Sequence, residues 1–190
     1  MEADCRELVA PGSLGQSPRQ PLSSTVMSQN MESSQIYEKM FIEASEAWEN
    51  HDYKKAFELF LESAKGGESS SQLNIGYFYD EGICVPKNMK KAIYWYKKAS
   101  MQNNGGATTN IAIHYRTIKE YRKALWWFHK AVKQLDHDAY FDIGCLYENG
   151  LGVKKNIKKA LHYYKEAVNA EHITEDTVIK AKERIKKLRT

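Results

Sequence analysis

The sequence predicts an all-α fold, a solenoid of about four helical hairpins closed by a C-terminal capping helix. From Ile36 onward, aromatic and aliphatic residues recur at spacings of three and four, which is typical of amphipathic helices. A nine-residue pattern that opens with Lys-Ala returns at intervals of 32 to 36 residues, which indicates stacked supersecondary units. Charged residues make up 27% of the chain and hydrophobic residues 42%, close to globular averages.

The first 33 residues are expected to form a disordered tail. They contain three of the four prolines, two glycines and many serines and glutamines, without a sustained hydrophobic period. The repeat domain is therefore predicted to occupy residues 34–190.

The Lys-Ala pattern is predicted to form the second helix of each hairpin. Its copies lie at 91–99, 123–131 and 159–167, with a looser copy at 55–63. Because the aromatic residues recur at matching positions, they are expected in the core between repeats rather than as a platform for stacked bases. The core prediction covers Trp95, Tyr96, Trp127, Phe128 and Tyr164.

A second pattern, upstream of each later copy, predicts the first helix of the hairpin. A small residue is followed three positions later by a tyrosine, as in Gly76 with Tyr79, Ala112 with Tyr115 and Gly144 with Tyr147. Small residues allow two helices to approach closely.

Glycine-containing loops at 80–88 and 148–156 separate the two helices of the second and fourth hairpins. Glycine ends a helix readily, and Asn88 or Asn156 can cap the next one. The third hairpin has only the short linker 117–120. We expect hairpins at about 36–66, 68–103, 105–135 and 137–170. A capping helix at about 174–189 carries acids in its first turn and basic residues in its last, which suits the helix dipole.

The second and fourth hairpins closely resemble Sel-one-like repeats: a small residue, a tyrosine, a glycine turn ending in Asn, then Lys-Ala-x-x-x-Tyr-x-x-Ala. The first and third are more similar to tetratricopeptide repeats, which share the hairpin with a shorter turn. The resemblance covers about residues 36–170. It implies a right-handed solenoid that acts as a non-enzymatic scaffold or adaptor for other proteins.

In the tetratricopeptide family, the first helices line a concave face on which partners dock. By that register, the resemblance implies contact positions at Asn74, Tyr77, Asp80, Thr109, Asn110, Ile113, Arg116, Asp142, Cys145 and Glu148. Acids concentrate on the first helices and lysines on the second. We therefore predict a concave groove that binds a neutral or basic peptide or helical segment. Acids at Asp138 and Asp142 argue against a clamp for a C-terminal carboxylate.

No catalytic, cofactor or metal site is predicted. The six histidines lack the spacing of metal ligands, and neither GxGxxG nor GxxxxGK[ST] is present. Three cysteines without a CxxC pair suggest neither a disulfide framework nor zinc, and a reducing compartment fits them best. An enzyme or small-ligand carrier would need a pocket with converging titratable groups, which a sequence does not reveal.

Net charge is +4 and the charges interleave, so nucleic acid is not the favoured partner. Residues 154–190 are more basic, and the alternative function is a basic-surface binder of nucleic acid or another polyanion. No run approaches the length of a membrane span, and no leader pattern opens the chain. A soluble, monomeric, cytoplasmic protein is expected.

Overall fold

The computed structural model describes residues 24–189, which contain nine α helices and no strands. The predicted all-α solenoid is confirmed. The helices are α1 (Ser24–Glu49), α2 (Tyr53–Gly66), α3 (Ser69–Glu81), α4 (Met89–Met101), α5 (Gly105–Thr117), α6 (Tyr121–Lys133), α7 (Ala139–Asn149), α8 (Ile157–Asn169) and α9 (Glu175–Lys187).

Eight of the helices pair as four consecutive hairpins: α1 with α2, α3 with α4, α5 with α6, and α7 with α8. Each hairpin stacks on the next through its second helix, so α2 packs on α3, α4 on α5, and α6 on α7. The last helix, α9, packs on α8 and covers the end of the stack. We call α1, α3, α5 and α7 the first helices, and α2, α4, α6 and α8 the second helices.

Helix α1 begins before the predicted domain boundary. Residues 1–23 of the predicted tail lie outside the described residues, but residues 24–33 belong to α1. The segment from Ser24 to Glu49 contains neither proline nor glycine, so no residue in it interrupts a helical backbone.

The predicted turn signals are confirmed in the second and fourth hairpins. Gly82 and Gly150 follow α3 and α7 with φ of 75° and 69°, a left-handed conformation that glycine adopts without strain. The Asn88 side chain accepts a hydrogen bond from the Lys91 backbone N–H at 3.1 Å, and Asn156 accepts the equivalent bond from Lys159 at 2.9 Å. Each loop thus ends one helix and caps the next.

The cores of the second and fourth hairpins rest on close contact between a glycine and a ring. A Cβ built on Gly76 would lie 2.4 Å from the Tyr96 ring, and one on Gly144 would lie 2.5 Å from the Tyr164 ring. Tyr96, Phe128 and Tyr164 are fully buried, while Trp95 and Trp127 are half-buried against the core clusters. The predicted core positions of these rings are therefore confirmed.

Candidate functional site

The ten predicted contact residues lie on α3, α5 and α7, and they differ in exposure. Tyr77 and Ile113 are exposed, whereas the other eight are half-buried. We call the side of the first helices that carries these residues the first-helix groove. Its two ends differ in shape and in how many of their charged side chains form ion pairs within the chain.

A cavity of about 370 Å³ opens at the N-terminal end of the first-helix groove, between α1 and α3. Trp48 forms its aromatic wall, with its ring centroid 6.1 Å from that of Tyr77 and 5.4 Å from that of Phe78, both edge to face. The remaining lining residues are Ser45, Glu49, Phe60 and Asn74. Two predicted residues, Asn74 and Tyr77, are therefore brought together with a wall that α1 supplies.

Trp48 and Ser45 were missed because contact positions were assigned only to the last three hairpins. A signal for them exists in the spacing of the repeat. Ala56, the alanine of the Lys-Ala pattern in the first hairpin, follows Ala44 by twelve residues, the same interval as between Ala112 and Ala124 in the third hairpin. That register places Ser45 and Trp48 at contact positions of a first helix.

Free negative charge also lies at the N-terminal end. Glu49 and Glu81 are exposed, and neither carboxylate makes an ion pair or hydrogen bond with another described residue. Asp80, beside them, accepts a hydrogen bond from the Tyr96 hydroxyl at 3.3 Å. This end of the groove therefore offers an apolar cavity whose lining includes the unpaired Glu49, with Glu81 one helical turn beyond Tyr77 on α3.

The C-terminal end of the groove is neutralised within the chain. Asp142, whose side chain is 18% exposed, forms an ion pair with Arg116 of the preceding first helix. Burial raises the pKa of Asp142 above its usual range, and the Arg116 charge and hydrogen bond oppose that rise.

Glu148 is likewise held from two sides. Arg184 of α9 lies 3.4 Å from its carboxylate, and the Tyr164 hydroxyl donates a hydrogen bond to it at 2.5 Å. Asp142 and Glu148, two of the acids among the predicted contact residues, are thus paired inside the chain, whereas Glu49 in the cavity lining is not.

Cys145 and Ser45 both make hydrogen bonds within the fold. The Cys145 sulfur accepts a weak hydrogen bond from Tyr164 at 3.4 Å, and burial raises the pKa of its thiol. The Ser45 hydroxyl, in the cavity, donates to the Phe41 carbonyl of its own helix at 2.8 Å. Within residues 24–189, no three His, Cys, Asp or Glu side chains lie close enough together to hold a metal ion. The geometry of the groove suits binding.

The model of the Sel1 repeat family matches residues 49–68, 69–104, 114–134 and 137–172, more than half of the chain. The chain belongs to the Sel1 repeat family. Sel1 repeats form a scaffold fold that mediates contacts between proteins. Among the described residues of this Sel1 repeat chain, no helix has the length and apolar character needed to cross a bilayer.

Sel1 repeat relatives among curated proteins match only parts of this chain. The ERAD-associated E3 ubiquitin-protein ligase component HRD3B of Arabidopsis thaliana is 31% identical over 105 residues, 55% of this chain and 17% of that protein. The chitin synthase regulator SKT5 of Saccharomyces cerevisiae is 39% identical over 49 residues, 26% of this chain and 7% of that protein. The chain thus spans less than a fifth of the length of either relative.

Solved structures share the solenoid over most of the chain. The protective antigen c5321 of uropathogenic Escherichia coli, which displays an SLR fold, superposes with a TM-score of 0.66 at 27% identity, covering 84% of this chain and 35% of the antigen. A Sel1 repeat protein from Oxalobacter formigenes superposes with a TM-score of 0.53 at 29% identity, covering 70% of this chain and 61% of that one.

Proposed function

We propose that this chain is a non-enzymatic adaptor that binds an extended or helical segment of another protein along the first-helix groove. The observation that carries the proposal is the cavity between α1 and α3, walled by Trp48 and by Tyr77, which is 42% exposed. Tryptophan and tyrosine pockets are where interfaces concentrate their binding energy. The cavity is the anchor point of the partner.

Further exposed apolar side chains continue from the cavity. Ile42 precedes the cavity residues on α1, and Ile113 lies on α5 at the register of Tyr77. A segment that crosses the groove from α1 to α5 would cover the side chains of Ile42, Tyr77 and Ile113. Such a path suits an extended peptide or one helix, both of which bind through periodic apolar anchors.

The free carboxylates define the charge of the partner. Because Glu49 lines the cavity unpaired and Glu81 follows Tyr77 by one helical turn, a lysine or arginine next to the apolar anchor would gain electrostatic complementarity. The pairs of Asp142 with Arg116 and of Glu148 with Arg184 leave little net charge at the other end. The preferred segment is therefore basic at the end that enters the cavity and neutral beyond it.

Selection from a displayed library of random peptides on the full-length chain tests this function. We expect the selected peptides to combine a large apolar residue with lysine or arginine, and to lose at least tenfold in affinity for Tyr77→Arg, which fills and charges the cavity entrance. Ile118→Ala, at an exposed apolar residue in the turn after α5, is the matched control. Peptides that bind wild type and Tyr77→Arg equally would place the binding site elsewhere.

We also propose a reducing, cytoplasmic location and a monomeric state. Cys84 and Cys145 are free thiols, and burial raises the pKa of each, so neither is an activated thiolate at neutral pH. An exposed thiol such as Cys84 is kept more readily where disulfides do not form. Mass measurement of the purified chain without reductant tests the monomer, since a disulfide-linked dimer would argue for an oxidising location.

A further inference from the structure

The second helices carry a concentration of positive charge that the groove does not explain. Helices α4, α6 and α8 together contain eleven lysines and arginines and a single acid, Glu166. Their first-helix counterparts α3, α5 and α7 contain four acids and one arginine. The solenoid therefore has two faces of opposite charge.

The exposed residues of the second helices form a regular lattice. Residues at i, i+4 and i+7 share one side of a helix. On α4, α6 and α8 these positions hold Lys90, Tyr94 and Lys97, then Arg122, Trp126 and His129, then Lys158, His162 and Lys165. All are exposed except His129, which is half-buried. We call this set the second-helix lattice. Its centre is a row of rings, with Tyr94 53% and Trp126 60% exposed.

The cations of the lattice are not used within the fold. Lys91, Lys123 and Lys159, one position further along, each lie over a core tyrosine ring. By contrast, the lattice cations make no hydrogen bond, ion pair or ring contact with another described residue, and all are exposed. They are Lys90, Lys97, Arg122, Lys158 and Lys165. Their charge is available to a partner.

The spacing of the lattice cations along a helix matches the width of a partner helix. Seven residues along α4 separate Lys90 from Lys97, about 10.5 Å, which is close to the roughly 10–12 Å diameter of a helix with its side chains. A helix lying across the second helices would therefore have the row of Lys90, Arg122 and Lys158 along one flank and Lys97 and Lys165 along the other. Carboxylates on its two flanks would meet these cations.

The surroundings of Tyr94 favour this ligand over stacked bases. Nucleic-acid platforms need open ring faces, but the Lys98 ammonium lies 5.1 Å from the centroid of the Tyr94 ring. It therefore occupies one face of that ring, on which a base would stack, whereas an aliphatic stripe can pack on the exposed ring edges.

We propose that the second-helix lattice is a docking site for an acidic amphipathic helix of a partner protein, lying across α4, α6 and α8 with its apolar stripe on Tyr94 and Trp126. This site is separate from the first-helix groove. The adaptor would thus hold two segments of opposite charge on opposite faces.

The test uses the full-length chain and a capped, fluorescent peptide of about five helical turns, designed with a leucine stripe between two rows of glutamate. We expect binding that falls about tenfold or more for Lys97→Glu with Arg122→Glu, and several-fold for Trp126→Ala, by anisotropy. Lys54→Glu with Lys182→Glu is the matched control, because it makes the same charge change at exposed positions of α2 and α9. A peptide with glutamine in place of glutamate should not bind.

Equal peptide affinity in the lattice double variant and its control would overturn the proposal. So would tighter lattice-dependent binding of a uridine oligonucleotide or of phosphatidylserine vesicles, which would assign the lattice to nucleic acid or to a membrane surface. Circular dichroism establishes that each variant is folded. Tyr77→Arg should leave peptide binding unchanged, so failure of this proposal and failure of the groove proposal are distinguishable.

Discussion

The Lys91 ammonium lies 4.8 Å from the centroid of the Tyr79 ring, on the neighbouring helix of the same hairpin. The same relationship recurs in the next two hairpins, between Lys123 and Tyr115 at 5.7 Å and between Lys159 and Tyr147 at 5.1 Å. In the second, third and fourth hairpins, the lysine that opens the Lys-Ala pattern therefore contacts the tyrosine of the first helix. Cation and ring attract each other through the ring's quadrupole.

Lys91→Ala should lower the free energy of unfolding by about 0.5–1 kcal/mol, because it removes a partly exposed cation–π contact. Lys90→Ala, at the adjacent exposed lysine with no ring partner, should change it by less than about 0.5 kcal/mol. Urea denaturation measures both values, provided that the dependence of the unfolding free energy on urea concentration is the same in the variants and the wild type. Equal effects of the two substitutions would show that the ring contact contributes nothing.

Gly76→Ala should destabilise the chain by about 1–3 kcal/mol, because the new methyl group would lie 2.4 Å from the Tyr96 ring and force the two helices apart. Gly106→Ala is the control, since its nearest neighbours would be 3.7 Å away in the first turn of α5. There the substitution should stabilise the chain by up to about 1 kcal/mol by restricting the unfolded state. Thermal and urea unfolding of the two variants should therefore shift in opposite directions.

Two adjacent threonines on α5 should respond differently to replacement by valine. The buried Thr109 hydroxyl has no hydrogen-bond partner among the described residues, so Thr109→Val should be neutral or stabilising by about 1 kcal/mol. The Thr108 hydroxyl donates to Ser100 Oγ at 2.7 Å, a contact that links α5 with α4. Thr108→Val should cost about 1–2 kcal/mol. A loss of stability in Thr109→Val as large as that in Thr108→Val would mean that the Thr109 hydroxyl is satisfied.

Arg116→Met should raise the pKa of Asp142 further, because burial already raises it and Arg116 is the charge that opposes the rise. A raised pKa means that the folded state holds the proton more tightly than the unfolded state. The contribution of this group to stability is therefore full below its unfolded pKa and is lost as pH rises through its folded pKa. Carbon-13 NMR titration of the side-chain carboxyl measures the shift.

Arg184→Met is the control for that titration, since Arg184 pairs with Glu148 instead of Asp142. It should leave the pKa of Asp142 closer to the wild-type value. An Asp142 pKa that stays constant or falls in Arg116→Met would contradict the assigned role of the arginine.

The periodic features of the chain were predictable because each is a local property that repeats. Glycine and asparagine at equivalent loop positions fix where α3 and α7 end and where α4 and α8 begin. The interval between Lys-Ala patterns fixes which rings meet in the core. The start of α1 was set too late, because polar residues without an apolar stripe carry a weak helix signal even where nothing interrupts the helix.

The state of the groove acids could not be predicted in the same way. Register placed Arg116 and Asp142 on one surface, but their pairing joins residues 26 positions apart and depends on which side-chain conformations the stack permits. Arg184 reaches Glu148 from a helix outside the repeat pattern. The sequence therefore predicted where the charged residues lie, and only the packed structure showed which of them form ion pairs within the chain.

Because each helix contacts chiefly its neighbours in sequence, the chain has little of the long-range topology that slows folding. The free energy of such a stack is approximately a sum over hairpins and the junctions between them. A destabilised end hairpin can therefore open while the middle of the stack stays folded, and the cavity, which α1 and α3 build together, lies at such a junction. A segment bound in the cavity would contact α1 and α3 together, so it would stabilise the N-terminal hairpin against local opening.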